Sequence, residues 1–148
     1  MVRNRQRFAH DTSLAMTTSS EFEFEGLRMH IAVDATGARL FLSIESGFAE
    51  FEVKVPLAEK DLQILRTDSE RSAFLQAALH HPFQLRATAL SEIEQRRYLD
   101  IILHGPAADV EAFLTSLDHG LANGAISNML RITRGRNQQA LRSGAWFA

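Results

Sequence analysis

The side chains best suited to chemistry here are six histidines, eighteen carboxylates and a scatter of serines, in a chain of 148 residues. His80 and His81 are adjacent, and helix neighbours point about 100° apart, so the two do not converge on one ion. Neither H-E-x-x-H nor His-x-His occurs, and no metal site is expected. His80-His81-Pro82-Phe83 reads instead as a helix terminus, where imidazoles lie near the last carbonyls. A serine nucleophile needs an elbow such as G-x-S-x-G; Ser46-Gly47 and Ser143-Gly144 fall in a turn and in the tail. Neither a dinucleotide fingerprint nor a Walker sequence is present, and Gly120 to Gly124 has two glycines but no lysine. Glu50 and Glu52 share a strand face, but acid–base work would need them in a pocket that raises a pKa. There is no cysteine, which excludes disulfides, thiolate metal sites and cysteine nucleophiles. The chain therefore reads as a non-enzymatic protein without catalytic residues, metal or cofactor.

What remains is binding, and charge points the same way. Between residues 21 and 70 eleven acids face five bases, whereas residues 131–148 hold four arginines and no acid. An acidic body steers basic partners and speeds their association.

The elements that must position a binding surface centre on residues 27–55, which read as two successive hairpins. With Thr36-Gly37 as the first turn, Val33 faces Leu40, Ile31 faces Leu42 and Met29 faces Ile44. With Ser46-Gly47 as the second, Ile44 faces Ala49, Leu42 faces Phe51 and Leu40 faces Val53. A slip by one residue would turn these apolar positions to solvent. The other face carries Arg28, His30 and Phe41, followed by Glu45, Phe48, Glu50, Glu52 and Lys54. Aromatic anchors in a charged rim are what partner interfaces use, so Phe41, Glu45, Phe48, Glu50 and Glu52 are the candidate partner-binding residues. Phe22 and Phe24, alternating with glutamates, predict a further strand, with Gly26 absorbing a change of phase.

A helix is expected after Pro56, with Leu57, Leu62 and Leu65 inward. A second, capped by Asp68 or Ser69, carries Phe74, Leu75, Ala78 and Leu79 and stops at Pro82. Residues 85–91 and 97–104 predict a second hairpin, with Tyr98 to Leu103 as a strand; the rival is a helix over 90–97 feeding one strand. Later helices put Val110, Phe113, Leu114 and Leu117, then Ile126, Met129 and Leu130, on inward faces. The expected class is α+β: an antiparallel meander of about three to five strands, with a second hairpin, packed against three or four helices. Residues 1–20 are expected as a flexible arm, 21–133 as one domain, and 134–148 as a basic tail, frayed except where Trp146 and Phe147 find a surface. No apolar run nears the roughly 20 residues of a membrane span, and no apolar stretch follows Arg3, Arg5 and Arg7 as a leader would require. A cytoplasmic protein with no membrane partner is expected.

The segment Ser72 to Phe83, SAFLQAALHHPF, followed by Asp118 to Gly124, DHGLANG, resembles small bacterial proteins, among them immunity proteins of contact-dependent growth inhibition and related polymorphic toxin systems. That resemblance implies a small cytoplasmic protein that binds a cognate basic toxin domain and occludes it, as a monomer or dimer. The order of strands, helix, hairpin and helix is also similar to type III secretion chaperones, dimers that hold an effector. A third alternative is a small nucleic-acid-associated protein using Arg131, Arg134, Arg136 and Arg142 with Trp146 and Phe147; nucleic acid is otherwise not expected as a partner.

Overall fold

A computed structural model of the chain describes residues 5–8 and 18–148. Five strands come first: β1 (Arg5–Phe8), β2 (Thr18–Glu23), β3 (Met29–Asp34), β4 (Gly37–Ser46) and β5 (Ala49–Leu57). They form one antiparallel sheet whose strand order is the chain order. Six helices follow among the described residues: α1 (Glu59–Thr67), α2 (Ser69–Phe83), α3 (Glu92–His104), α4 (Ala107–His119), α5 (Ala125–Arg134) and α6 (Gln138–Arg142), with a 3-10 turn at Arg86–Thr88. The class is α+β, with more helices than the three or four expected.

Alternation sets the two faces of the sheet. Met29, Ile31, Leu40, Leu42, Ile44 and Val55 are buried beneath the helices. Each such side chain contributes about 1.5–3 kcal/mol by leaving water. The pairing is shifted from expectation by two residues in both hairpins. Ile31 faces Leu40 and Met29 faces Leu42; Leu42 faces Val53 and Ile44 faces Phe51. A two-residue shift keeps every side chain on its face, so the apolar set survives while its partners change.

Local chemistry explains both turns. The loop of the first hairpin is Ala35-Thr36, closed by the pair Asp34–Gly37. The Asp34 carboxylate accepts from the Thr36 backbone N–H at 2.8 Å and pairs with Arg39 at 3.0 Å. The loop of the second is Gly47-Phe48. Gly47 has φ of +62°, at the first central position, where a two-residue hairpin loop favours glycine. One consequence corrects an expectation: Phe51 is not a core residue but sits on outer strand β5, 43% exposed.

α2 is the centre of the helical layer. From Ser72 to His80 every residue is buried, so this helix has no solvent face. Asp68 caps it by accepting from the Arg71 N–H at 3.0 Å. Pro82 lies in the last turn and the helix ends one residue beyond it. Arg71 reaches across to cap α3, donating to the carbonyls of Ile102 at 3.2 Å and Gly105 at 2.8 Å.

The expected second hairpin is not formed. Residues 97–104 belong to α3, and residues 85–91 form a 3-10 turn and its flanks. The buried set Gln95, Tyr98, Leu99, Ile102 and Leu103 follows helical spacing. Ser91 and Glu94 form a capping box at its start, the Ser91 hydroxyl accepting from the Glu94 N–H at 3.2 Å. The element order that is similar to secretion chaperones included that hairpin, and the observed order departs from it at this point.

Residues 134–148 are folded rather than frayed. Trp146 is fully buried, its indole N–H donating to Thr115 Oγ1 at 2.8 Å. Glu111 accepts from the backbone N–H groups of Trp146 and Phe147 at 2.9 and 3.1 Å. Phe74 meets both rings edge-on. Of the arm expected over 1–20, Arg5–Phe8 and the start of β2 are strand, and the rest lies outside the described residues.

Candidate functional site

Among the described residues, the face of the sheet turned away from the helices carries half-buried His30, Phe41 and Ser43 and exposed Glu50, Glu52 and Lys54. At its centre the Phe41 ring stacks on His30, centroids 4.8 Å apart and planes within 2°, with the Lys54 ammonium 5.6 Å from the ring centroid. The observed pairing of His30 with Phe41 makes this stack. Arg28 spans the end of the face, holding Glu45 at 2.8 Å and Glu50 at 2.7 Å, while the Ser43 hydroxyl donates to Glu50 at 3.1 Å. The hydrogen bond from Arg28, then that from Ser43, holds the Glu50 carboxyl below its ordinary range, and Glu50 first, then Glu45, raise Arg28. Glu45 and Glu50 are thus tied to a cation of their own, and Glu52 lies exposed beside them.

The β4–β5 turn projects from this end. Phe48 is fully exposed at its tip, and Phe51 is half exposed on the outer strand. The base of the hairpin is fixed to the last turn of α2. The Glu45 N–H donates to His80 Nε2 at 3.3 Å, Gln84 Nε2 donates to the Glu45 carbonyl at 2.7 Å, and the Ser46 hydroxyl donates to the Gln84 carbonyl at 2.9 Å. By accepting that N–H, Nε2 places the proton on Nδ1 of a neutral ring, and burial lowers the His80 pKa accordingly. Of the five residues singled out in the sequence, Phe41 sits mid-face, Glu45, Glu50 and Glu52 lie toward the turn, and Phe48 is the turn itself. Phe51, expected in the core, is not part of this face: it pairs with buried Ile44 on the helix side of β5, next to the turn, and is 43% exposed there.

Comparison with protein-family models, curated proteins and solved structures yields no match to this chain. What it does must be read from its own surfaces.

Two buried carboxylates are the other sites where charge concentrates. Asp61 is fully buried, receiving both arms of Arg96 at 2.8 Å each, His104 Nε2 at 2.7 Å and the Ala58 N–H at 2.7 Å. Burial alone would raise its pKa, but these donors outweigh it and the net shift is downward. Asp118, also fully buried, accepts from the Ser127 N–H at 3.0 Å and Arg142 at 3.0 Å. Carboxylates so saturated with donors clamp helices together and are poorly placed to take a proton from a substrate. Among the described residues no three His, Asp or Glu side chains group as a metal site would require. No described helix is long and apolar enough to cross a membrane.

Two of the four arginines of the basic stretch, Arg136 and Arg142, are committed to carboxylates, while Arg131 and Arg134 are exposed. Arg142 pairs with Asp118, Arg136 lies 3.6 Å from Glu70 and donates to the Trp146 carbonyl at 2.6 Å, and Arg131 holds Asn128. Trp146 is buried and Phe147 packs under Arg71, so neither ring offers a free platform for a base.

Proposed function

We propose that this chain is a non-enzymatic binding protein of the immunity type, which holds a basic toxin domain in the cytoplasm and occludes it through the β4–β5 hairpin and the sheet face turned away from the helices. The observation that carries the reading is Phe48, an aromatic ring wholly in water at the tip of a turn whose base is pinned by three hydrogen bonds to α2. Burying such a ring in a partner is worth about 1.5–3 kcal/mol, roughly a 10- to 100-fold gain in affinity. Because the hairpin is held beforehand, little ordering entropy offsets that gain. Glu45, Glu50 and Glu52 give the rim of that face an acidic character suited to a basic partner, whereas Phe51, paired with buried Ile44, lies on the other face of β5. The Arg28 bridge keeps two of these glutamates extended along the face instead of free to sample other rotamers.

The test is genetic and biochemical together. The reading expects a neighbouring gene for a basic toxin domain that this chain binds and silences, and a Phe48→Ala variant that binds at least tenfold more weakly. Changing Glu45, Glu50 and Glu52 together to Lys should slow association, with folding intact. A neighbour whose toxicity persists under saturating amounts of this chain refutes it, as does unchanged binding by Phe48→Ala.

A further inference from the structure

A cavity of about 300 Å³ lies between the C-terminal turn of α2, the 3-10 turn, α3 and the α4–α5 connection, remote in sequence from the hairpin. Its walls are mainly apolar, including Ala78, Pro82, Leu90, Leu117, Ala122 and Ile126, and four polar side chains border it: His81, Thr88, Glu94 and Tyr98, of which Thr88 already donates to the Pro82 carbonyl at 2.8 Å. Tyr98 stands out among them. It is 8% exposed, its ring is fixed edge-on against Phe113 at 5.1 Å, and its hydroxyl makes no hydrogen bond to any described residue. Among the described residues the buried side-chain polar atoms without a partner are Gln76 Oε1 and Gln95 Oε1, so the Tyr98 hydroxyl is not sealed off but reaches solvent at the cavity wall, where a ligand oxygen can replace water as its acceptor. Burial, and secondly the Glu94 charge, raise its pKa, so it keeps its proton.

We propose that this cavity binds a small, neutral, largely apolar molecule of about two rings, bearing one oxygen that accepts the Tyr98 hydrogen bond. Size follows from the volume: an apolar cavity of about 150 Å³ accommodates benzene, and this one has about twice that space. Neutrality follows from Glu94. Its carboxylate repels anions at the border, and it is already engaged by the Ser91 N–H and hydroxyl at 3.3 Å, so it is a poor counter-ion for a cation. Entry lies over Ala87 and Ala89 of the exposed turn and beside Leu121, which is 88% exposed. Mostly apolar walls with a few polar groups are the ordinary make-up of a small-molecule site.

The probes are 1-naphthol and 1-methylnaphthalene, which is close in shape and lacks the hydroxyl, titrated into the full chain and followed by amide NMR. The expected result is saturable binding of 1-naphthol at one site per chain, with shifts confined to residues 78–98 and 117–126. Tyr98→Phe should weaken 1-naphthol about tenfold and leave 1-methylnaphthalene within about twofold, since only the first uses the hydroxyl. Ala87→Trp, made on the exposed turn where it does not disturb the core, should weaken both at least tenfold by filling the entry. Shifts that do not saturate up to the solubility limit, shifts that map elsewhere, or a Tyr98→Phe effect equal for both probes would each overturn the proposal. Partner binding at the hairpin is measured separately, so either idea can fail alone.

Discussion

Removing the Asp61 carboxylate should be one of the most informative single changes in this protein. In Asp61→Ala the helix-capping contact to the Ala58 N–H, the partner of His104 and the bidentate partner of Arg96 are all lost. Breaking a buried ion pair costs about 3–5 kcal/mol when the surviving charge is trapped. Arg96 is not trapped: its side chain is 34% exposed and keeps Asp100 at 2.8 Å. The expected cost is therefore lower, about 2–3 kcal/mol. The converse change, Arg96→Met, leaves a fully buried carboxylate with only His104 and one backbone N–H, and should cost more, about 3–4 kcal/mol. The double change to Asp61→Ala with Arg96→Met removes both charges and should recover at least 1 kcal/mol of the summed losses. Urea unfolding followed by far-UV circular dichroism measures all three, and the single changes should lower Tm by about 5–12 °C. Acid gives an independent check. The folded-state pKa of Asp61 is depressed, so its contribution is complete above the unfolded value of about 3.9 and fades as pH falls below it. The gap between wild type and Asp61→Ala should accordingly narrow only below about pH 4. Single-variant costs under about 1 kcal/mol, or strictly additive effects in the double variant, would show that the clamp is incidental.

Three further outcomes follow. Trp146→Ala truncates a fully buried side chain and strands the Thr115 hydroxyl, so it should lose about 3–5 kcal/mol in urea unfolding; a neutral result would mean that the end of the chain is not part of the core. Phe48→Ala and Phe51→Ala should each change stability by less than about 1 kcal/mol, since neither ring is buried; a large loss from either would restore it to the core. The pKa of His80 is lowered by burial, so its contribution is complete above the unfolded value of about 6.5 and declines as pH falls toward the folded one. The urea midpoint of wild type should drop between pH 7.5 and 5.5 more than that of His80→Gln, and equal drops would exclude His80 as the titrating group.

The sheet was legible in the sequence because alternation with period two reports faces directly, and Ile31, Leu40, Leu42 and Ile44 are all on the face where alternation puts them. Register was not legible to the same degree. A shift of two preserves every face, and the choice was made by the Asp34 side chain folding onto Thr36 and by Gly47 taking the left-handed position. α3 was misread because Tyr98 to Leu103 is nearly continuous in apolar residues, as a buried strand would be. The helix packs against α1, α2, α4 and β5, so a broad arc of it is buried. The corrective signal, Ser91 three residues before Glu94, was present and local. Trp146 had no such signal, because its contacts with Glu111 and Thr115 lie more than thirty residues away in the chain. The candidate site was half legible: its residues share a face by alternation, whereas the Arg28 bridge to Glu45 and Glu50 and the anchoring by His80 and Gln84 come from three-dimensional neighbours.

The strictly sequential strand order has a consequence for synthesis. Each strand of β1 to β5 pairs with the one made just before it, so the whole meander can assemble on the ribosome without waiting for distant chain. Its cover, however, is encoded afterwards. The sheet ends at Leu57 and α2 is complete only at Phe83. At about 5–20 residues per second, the face bearing Ile31, Leu40, Leu42 and Ile44 stays bare for roughly one to five seconds in every molecule made. In that interval the nascent sheet is a hydrophobic plate exposed on one side, and chaperone demand should track the rate of translation through α2 more closely than the stability of the finished protein.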